Sequence, residues 1–182
     1  NQTLITTKTG LWRVTYNGEN RPIHWVRDSD NTTLTMTYDH MGRRRQKNDQ
    51  RFFYDEYLQI VDNGGNAYIW DCTETMATRP LSWLHDSAAA YYMVDGSKNV
   101  SEAVNGDDGE IVAHYEYASF GSILSQQGTF SNFNLWHFSS EYDDVDLGCE
   151  YYNFRHYEKS SGRCVVFDPV ERNTVDNLYC RF

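Results

Sequence analysis

The sequence predicts an all-β protein, an antiparallel β-meander of short hairpins. Three observations carry the prediction. Apolar and polar residues alternate with period two, Asn-Gly pairs sit between the alternating runs, and the chain holds 14 Tyr, 9 Phe and 5 Trp against 10 Leu. Aromatic and β-branched side chains suit a pleated, half-buried surface better than a helical bundle. Leu, Ile, Val and Phe together make 37 of 182 residues, close to the level at which disorder becomes a concern. The aromatic side chains answer it, because each buries a large apolar area.

The elements follow in order. Trp12–Tyr16 and Ile23–Val26 read as a hairpin around Asn17-Gly18, through a turn longer than two residues. Leu34, Met36 and Tyr38 alternate with Thr33, Thr35 and Thr37, so one face of that strand is apolar and the other polar. Tyr57–Val61 and Ala67–Trp70 flank Asn63-Gly64, and Val100–Val104 and Ile111–Tyr117 flank Asn105-Gly106. Asn-Gly supplies the positive φ that tight hairpin turns need. Only one short stretch, Asp86–Ala90, suggests a helical turn. Pro22, Pro80 and Pro169 are the only prolines, so the strands run largely uninterrupted.

Charge and composition narrow the function. A formal net charge of −10 argues against nucleic acid as a partner. No run of 18 apolar residues occurs, so no membrane-spanning helix is expected. The basic cluster Arg43, Arg44, Arg45 and Lys47 reads as a solvated strand face. Cys72, Cys149, Cys164 and Cys180 form no CxxC pair. A Cys149–Cys164 disulfide requires their strands to be neighbours, and partly buried thiols are the simpler reading. Asp144-Val145-Asp146-Leu147-Gly148 lacks the third short acidic ligand and the distal Glu of a calcium loop, and reads as a turn before a strand. The histidines form no zinc-hydrolase pair, and neither a phosphate loop nor a nucleophile elbow is present. No cofactor or metal is expected.

A degenerate repeat runs through the chain. An aromatic residue is followed by a polar residue and a Gly turn in Tyr16-Asn17-Gly18, in Tyr38-Asp39-His40-Met41-Gly42 and in Tyr117-Ala118-Ser119-Phe120-Gly121. Shorter forms are Tyr54-Asp55, Asp95-Gly96 and Tyr142-Asp143. Near the C-terminus, Gly148-Cys149-Glu150-Tyr151-Tyr152 leads into Arg155-His156-Tyr157, then Gly162-Arg163 and Asp168-Pro169, with Asn177-Leu178-Tyr179 beyond. In combination these motifs resemble the Rhs, or YD-repeat, family and its core-associated domain. Cys149 stands where the family usually has Leu, Ala118-Ser119 where it has Asp-Pro, and Glu158 where it has Asp.

The resemblance implies the following. Residues 1–85 form a strip of repeat hairpins and residues 86–182 an incomplete core-associated domain. The sheet belongs to a spiral shell that houses or presents a C-terminal effector, often a toxin. The partners are the rest of that shell and the effector. A secreted or cell-surface location follows, with a carbohydrate- or protein-binding module at a cell surface as the alternative. Many relatives cut themselves as aspartic autoproteases, so an autoprotease core in the full-length parent is the third reading. Arg155 and Asp168 match two members of that catalytic set, and the second Asp is missing. Two carboxylates sharing a proton can activate water beside a guanidinium. With one of them absent, this segment is expected not to be an enzyme, and Arg155 with Asp168 is expected to form a structural ion pair.

Overall fold

The structure, a computed structural model, describes residues 2–73, 78–152 and 154–165. The protein is all-β and antiparallel. Thirteen strands pair each with the next in chain order: β1 (Leu4–Thr7), β2 (Gly10–Tyr16), β3 (Pro22–Arg27), β4 (Thr33–Tyr38), β5 (Arg44–Lys47), β6 (Gln50–Asp55), β7 (Leu58–Asp62), β8 (Ala67–Trp70), β9 (Pro80–His85), β10 (Ala88–Val94), β11 (Val100–Asn105), β12 (Ile111–Tyr117) and β13 (Ile123–Gln127). A second sheet orders β14 (Tyr142–Asp144), β15 (Cys149–Tyr152), β16 (Arg155–Glu158) and β17 (Arg163–Cys164). Among the described residues the one helical element is a 3-10 turn, Phe138–Ser140.

All three hairpins expected from the sequence form, as β2–β3, β7–β8 and β11–β12. The helical turn expected at Asp86–Ala90 does not. Asp86 takes a positive φ of 52° in the turn after β9, and Ala88 to Ala90 open β10 opposite His85 to Trp83. Cross-strand pairing outweighs the helix propensity of three alanines.

The turns also differ from the Asn-Gly expectation. The positive φ falls at Asn20, Gly65 and Gly109, one to three residues after the Asn-Gly pair. The reason is a longer turn held by a side chain. Asn17 Oδ1 accepts the Glu19 and Arg21 N–H groups at 3.0 and 2.9 Å. Asp39 Oδ1 does the same for Met41 and Arg43, Asp62 Oδ1 for Gly64 and Asn66, and Asp95 Oδ1 for Ser97 and Asn99. An Asx oxygen thus closes each of four turns over the same offsets. The repeat tyrosines tie successive units together. Tyr38 OH donates to Pro22 O at 2.8 Å and Tyr117 OH to Val100 O at 2.6 Å. In both cases the acceptor is the residue just after the preceding Asx turn.

The fifth turn keeps the backbone pattern without the cap. Ala118 N–H donates to Ser122 O and Gly121 N–H to Ala118 O, but Ala118 has no side-chain acceptor. Ala118→Asp supplies one for the N–H groups of residues 120 and 122. Net hydrogen bonds are worth about 1 kcal/mol each, so a gain of about 1–2 kcal/mol is expected. Calorimetry should show the melting temperature rising by roughly 3–6 °C; an unchanged or lower value would rule out a missing cap.

The chain divides into two compact units. In the first, residues 1–51 with 144–182, alternation turns Ile5, Trp12, Val14, Trp25, Leu34 and Met36 to one face of the sheet. Leu147, Cys149 and Val165 return to cover them. In the second unit, residues 52–143, the covered face presents Phe52, Tyr68, Trp70, Tyr92 and Tyr115. The segment after β13 lies over it: Trp136 packs 4.6 Å from Trp70 and 5.4 Å from Tyr68, and Phe130 sits 4.7 Å from Trp83. Burying an aromatic side chain of this size stabilises by roughly 2–3 kcal/mol before entropy costs. The aromatic richness of the sequence is therefore a core signal in both units.

Candidate functional site

Among the described residues the densest chemistry is a buried charge cluster in the first unit. It is built from β5 and from the turn between β14 and β15. Pairing of β4 with β5 shifts at Thr37/Tyr38, so Lys47 lies opposite Met36 and Arg44 opposite Tyr38. The irregularity inserts Arg45 as an extra residue, and Arg44 and Lys47 both turn to the covered face, 1% and 5% exposed. This corrects the reading of the basic cluster as a solvated face. Arg45 is exposed and Arg43 pairs with its turn residue Asp39, but Arg44 and Lys47 are core residues.

Asp144, wholly buried, is their counter-charge. Its Oδ1 lies 2.9 Å from Lys47 Nζ, and its Oδ2 accepts from Arg44 Nη1. Lys47 Nζ also reaches Asp146 Oδ2 at 2.8 Å. The Arg44 guanidinium stands 4.2 Å over the Tyr151 ring, and the Tyr151 hydroxyl oxygen accepts the Arg44 backbone N–H at 3.1 Å. The Gly148 N–H donates to Asp144 O at 2.7 Å and closes the turn. Burial raises the Asp144 carboxyl's pKa, but Arg44 and Lys47 outweigh it and hold the group well below the usual carboxylate range. With both oxygens committed to cations, Asp144 is not placed to ligate calcium.

His156 completes the cluster. It packs 5.3 Å from Trp25 and 5.2 Å from Tyr151, fully buried, with no hydrogen-bond partner on either ring nitrogen among the described residues. Burial, aided by the Arg44 charge, pushes its pKa down to about 3. The sign of the linkage is fixed. His156 is neutral when folded and titrates near 6.5 when unfolded, so the unfolded chain binds the extra proton between about pH 3 and 6.5. Stability is full above pH 6.5 and falls as pH drops through that window. From pH 7 to 5 the expected loss from this residue is about 2 kcal/mol. His156→Leu should lose about that much less over the same interval, measured by denaturant unfolding at both pH values. Equal pH dependence in the two proteins would refute the assignment.

The residues singled out from the sequence sit nearby in the chain. Arg155 lies in β16, half-buried, opposite Tyr152. Asp168 lies outside the described residues, as do Cys180 and Asn177-Leu178-Tyr179. Glu158, where the resemblance expects Asp, accepts the N–H groups of Ser160 and Ser161 at 3.0 and 2.7 Å, another turn cap. Cys149 and Cys164 lie on β15 and β17, on opposite sides of β16. Two strand spacings are about 10 Å, beyond the reach of a disulfide. Burial, with Asp144 nearby, raises the Cys149 thiol's pKa well above normal. Among the described residues no group of His, Cys, Asp and Glu side chains is arranged to hold a metal ion, and no helix is long and apolar enough to cross a membrane. The cluster is therefore equipped to clamp a strand turn. It presents no nucleophile poised beside a base.

Comparison with known proteins bears on the fold. No family model matches the chain. A curated relative, double-stranded DNA deaminase toxin A of Burkholderia cenocepacia (strain H111), is 25% identical over 205 residues, covering 92% of this chain and 14% of that protein. Among solved structures, TcdB2-TccC3-Cdc42 is similar over 97% of this chain with a TM-score of 0.71 at 18% identity, and TcdB2-TccC3 over 97% with 0.69 at 18% identity. The chain spans only 10% of each of those two chains. The all-β meander is thus a fold shared with part of these much longer chains, and the curated relative is by its name a toxin.

Proposed function

We propose that this chain is a structural segment of a Rhs/YD-repeat shell that houses or presents a C-terminal effector, a toxin module. In this reading residues 1–85 are wall, and residues 86–182 belong to the core-associated domain that closes one end. Its partners are the remaining shell strands and the effector, and its place is outside the producing cell. The observation that carries the reading is the likeness to the TcdB2-TccC3 structures along 97% of the chain, at a tenth of their length. A meander that pairs each strand only with its neighbours extends at either edge, which suits a wall built by repetition. The regular capped turns support it further.

The segment's role is to enclose and not to catalyse. Arg44 and Lys47 are balanced by Asp144 and Asp146, and their burial rigidifies the turn into β15. Arg155 and Asp168 are assigned a structural ion pair in the same domain. Electron cryomicroscopy of the full-length protein tests the proposal. The segment is expected within the wall of a hollow particle. Its appearance as a free-standing globule tethered to an exposed effector would overturn it.

A further inference from the structure

The two faces of the second unit's sheet differ sharply. One is covered by the Trp136 segment. The other is open and apolar. Register fixes which residues share it: Phe53 lies opposite Val61, Val61 opposite Ala67 and Ala67 opposite Leu84, and the adjacent row runs Ile69, Ser82, Tyr91, Val104 and Ile111. These rows span seven strands, β6 to β12, without a charged residue. The charges begin at the next row, where Glu102 pairs with His114 at 3.4 Å. Ile69 and Tyr91 are each 50% exposed and Ile111 59%. Ser82 lies between Ile69 and Tyr91 in this row and is buried.

We infer that this face packs against the same face of a second copy of the chain. Area is the first argument. With full side-chain areas near 200 Å², the exposed fractions of Phe53, Val61, Ile69, Leu84, Tyr91 and Ile111 sum to about 540 Å², near the top of what monomers leave in one patch and about two-thirds of one partner's share of a standard interface. Charge is the second. A chain of net −10 meets a copy of itself with least repulsion through a neutral surface, and the rows of this face carry no charge to pair with an unlike partner. Shape is the third. A twisted antiparallel sheet offers the aligned face-to-face packing by which two sheets bury alternating side chains, and a two-fold axis makes one patch self-complementary. The dimer is independent of the shell reading, because it rests on this unit's surface alone.

Sedimentation equilibrium of the 182-residue chain across a concentration series tests the inference. The expected result is a dimer, twice the 21.3 kDa chain mass. Tyr91→Lys combined with Ile111→Lys should return a monomer with an unchanged circular dichroism spectrum, since both side chains already meet water. Association through open strand edges is the competing outcome, read by Thr6→Pro in β1 and Ser125→Pro in β13. Loss of the dimer in these edge variants but not in the face variant would overturn the proposal, and so would a monomer at all concentrations.

Discussion

Asp144→Ala should unfold the first unit of this protein under conditions where the native chain is stable. The substitution leaves Arg44 without a countercharge it now touches and Lys47 with only the half-exposed Asp146, both in a core that excludes water. Removing one partner of a buried ion pair typically costs about 3–5 kcal/mol, because the remaining charge stays desolvated. Hydrogen exchange should show protection lost in β4, β5 and β15 first. The loss belongs to an orphaned charge and not to a missing attraction, which gives a second arm. Arg44→Met, Lys47→Met and Asp144→Leu combined should recover most of the stability. If the triple variant is as unstable as the single one, the cluster does more than balance charge. Acid should act on the same site. The folded Asp144 carboxyl sits well below its unfolded value of 3.8, so its stabilising share is present above pH 3.8 and is lost as the pH falls further.

Gly128→Ala should release the cover of the second unit. Gly128 has φ +99°, a region that L side chains avoid, and a Cβ there would lie 2.2 Å from Val112 O. Both obstacles are backbone, so no rotamer relieves them. The bend at Gly128 delivers Phe130, whose N–H donates to Val112 O at 2.9 Å, and then Asn134, Trp136 and His137 onto the aromatic face. Strain at such a φ and displacement of a backbone contact together cost roughly 3 kcal/mol or more. The expected signature is loss of the near-ultraviolet signal of the Trp70–Trp136 pair with the far-ultraviolet strand signal retained, because β6 to β13 keep their ladder. Native-like near-ultraviolet intensity and stability would contradict the role given to this glycine.

Much of this fold is legible in the sequence. Period-two alternation locates β4 and β12, and the runs flanking the Asn-Gly pairs locate β2, β3, β7, β8 and β11, because a half-buried strand writes its faces directly into residue order; β10 is not legible, its opening alanines reading as a helical turn. The turns are half legible. Asn and Asp mark where they begin, but the position of the positive φ depends on turn length, which the Asx oxygen sets by closing over the second and fourth following N–H groups. The charge cluster is the least legible part. Arg44 and Lys47 look like surface residues until a bulge at Arg45 turns both inward, and their partner Asp144 is 100 residues away. Nothing local in Asp144-Val145-Asp146 distinguishes a buried countercharge from a solvated turn. One signal was available: Tyr151, His156 and Trp25 all belong to apolar-facing positions, so a basic strand between them needed a carboxylate.

The chemistry that sequence suggests and the architecture that folding delivers meet in the same place. Tyr38 and Tyr117 each close a repeat on the turn behind it, an Asx oxygen holds four of the turns, and a returning segment covers one face of the sheet. Each device orders backbone; none presents a reactive group to solvent. That is the expected character of a wall.

The most direct measurement is an electron cryomicroscopy map of the full-length protein, with this segment's strands traced. The account predicts β1 to β13 continuing at both edges into further antiparallel strands of a closed, hollow shell, with the C-terminal polypeptide inside it. A map in which β1 and β13 end free in solvent and the C-terminal polypeptide folds outside the sheet would contradict it.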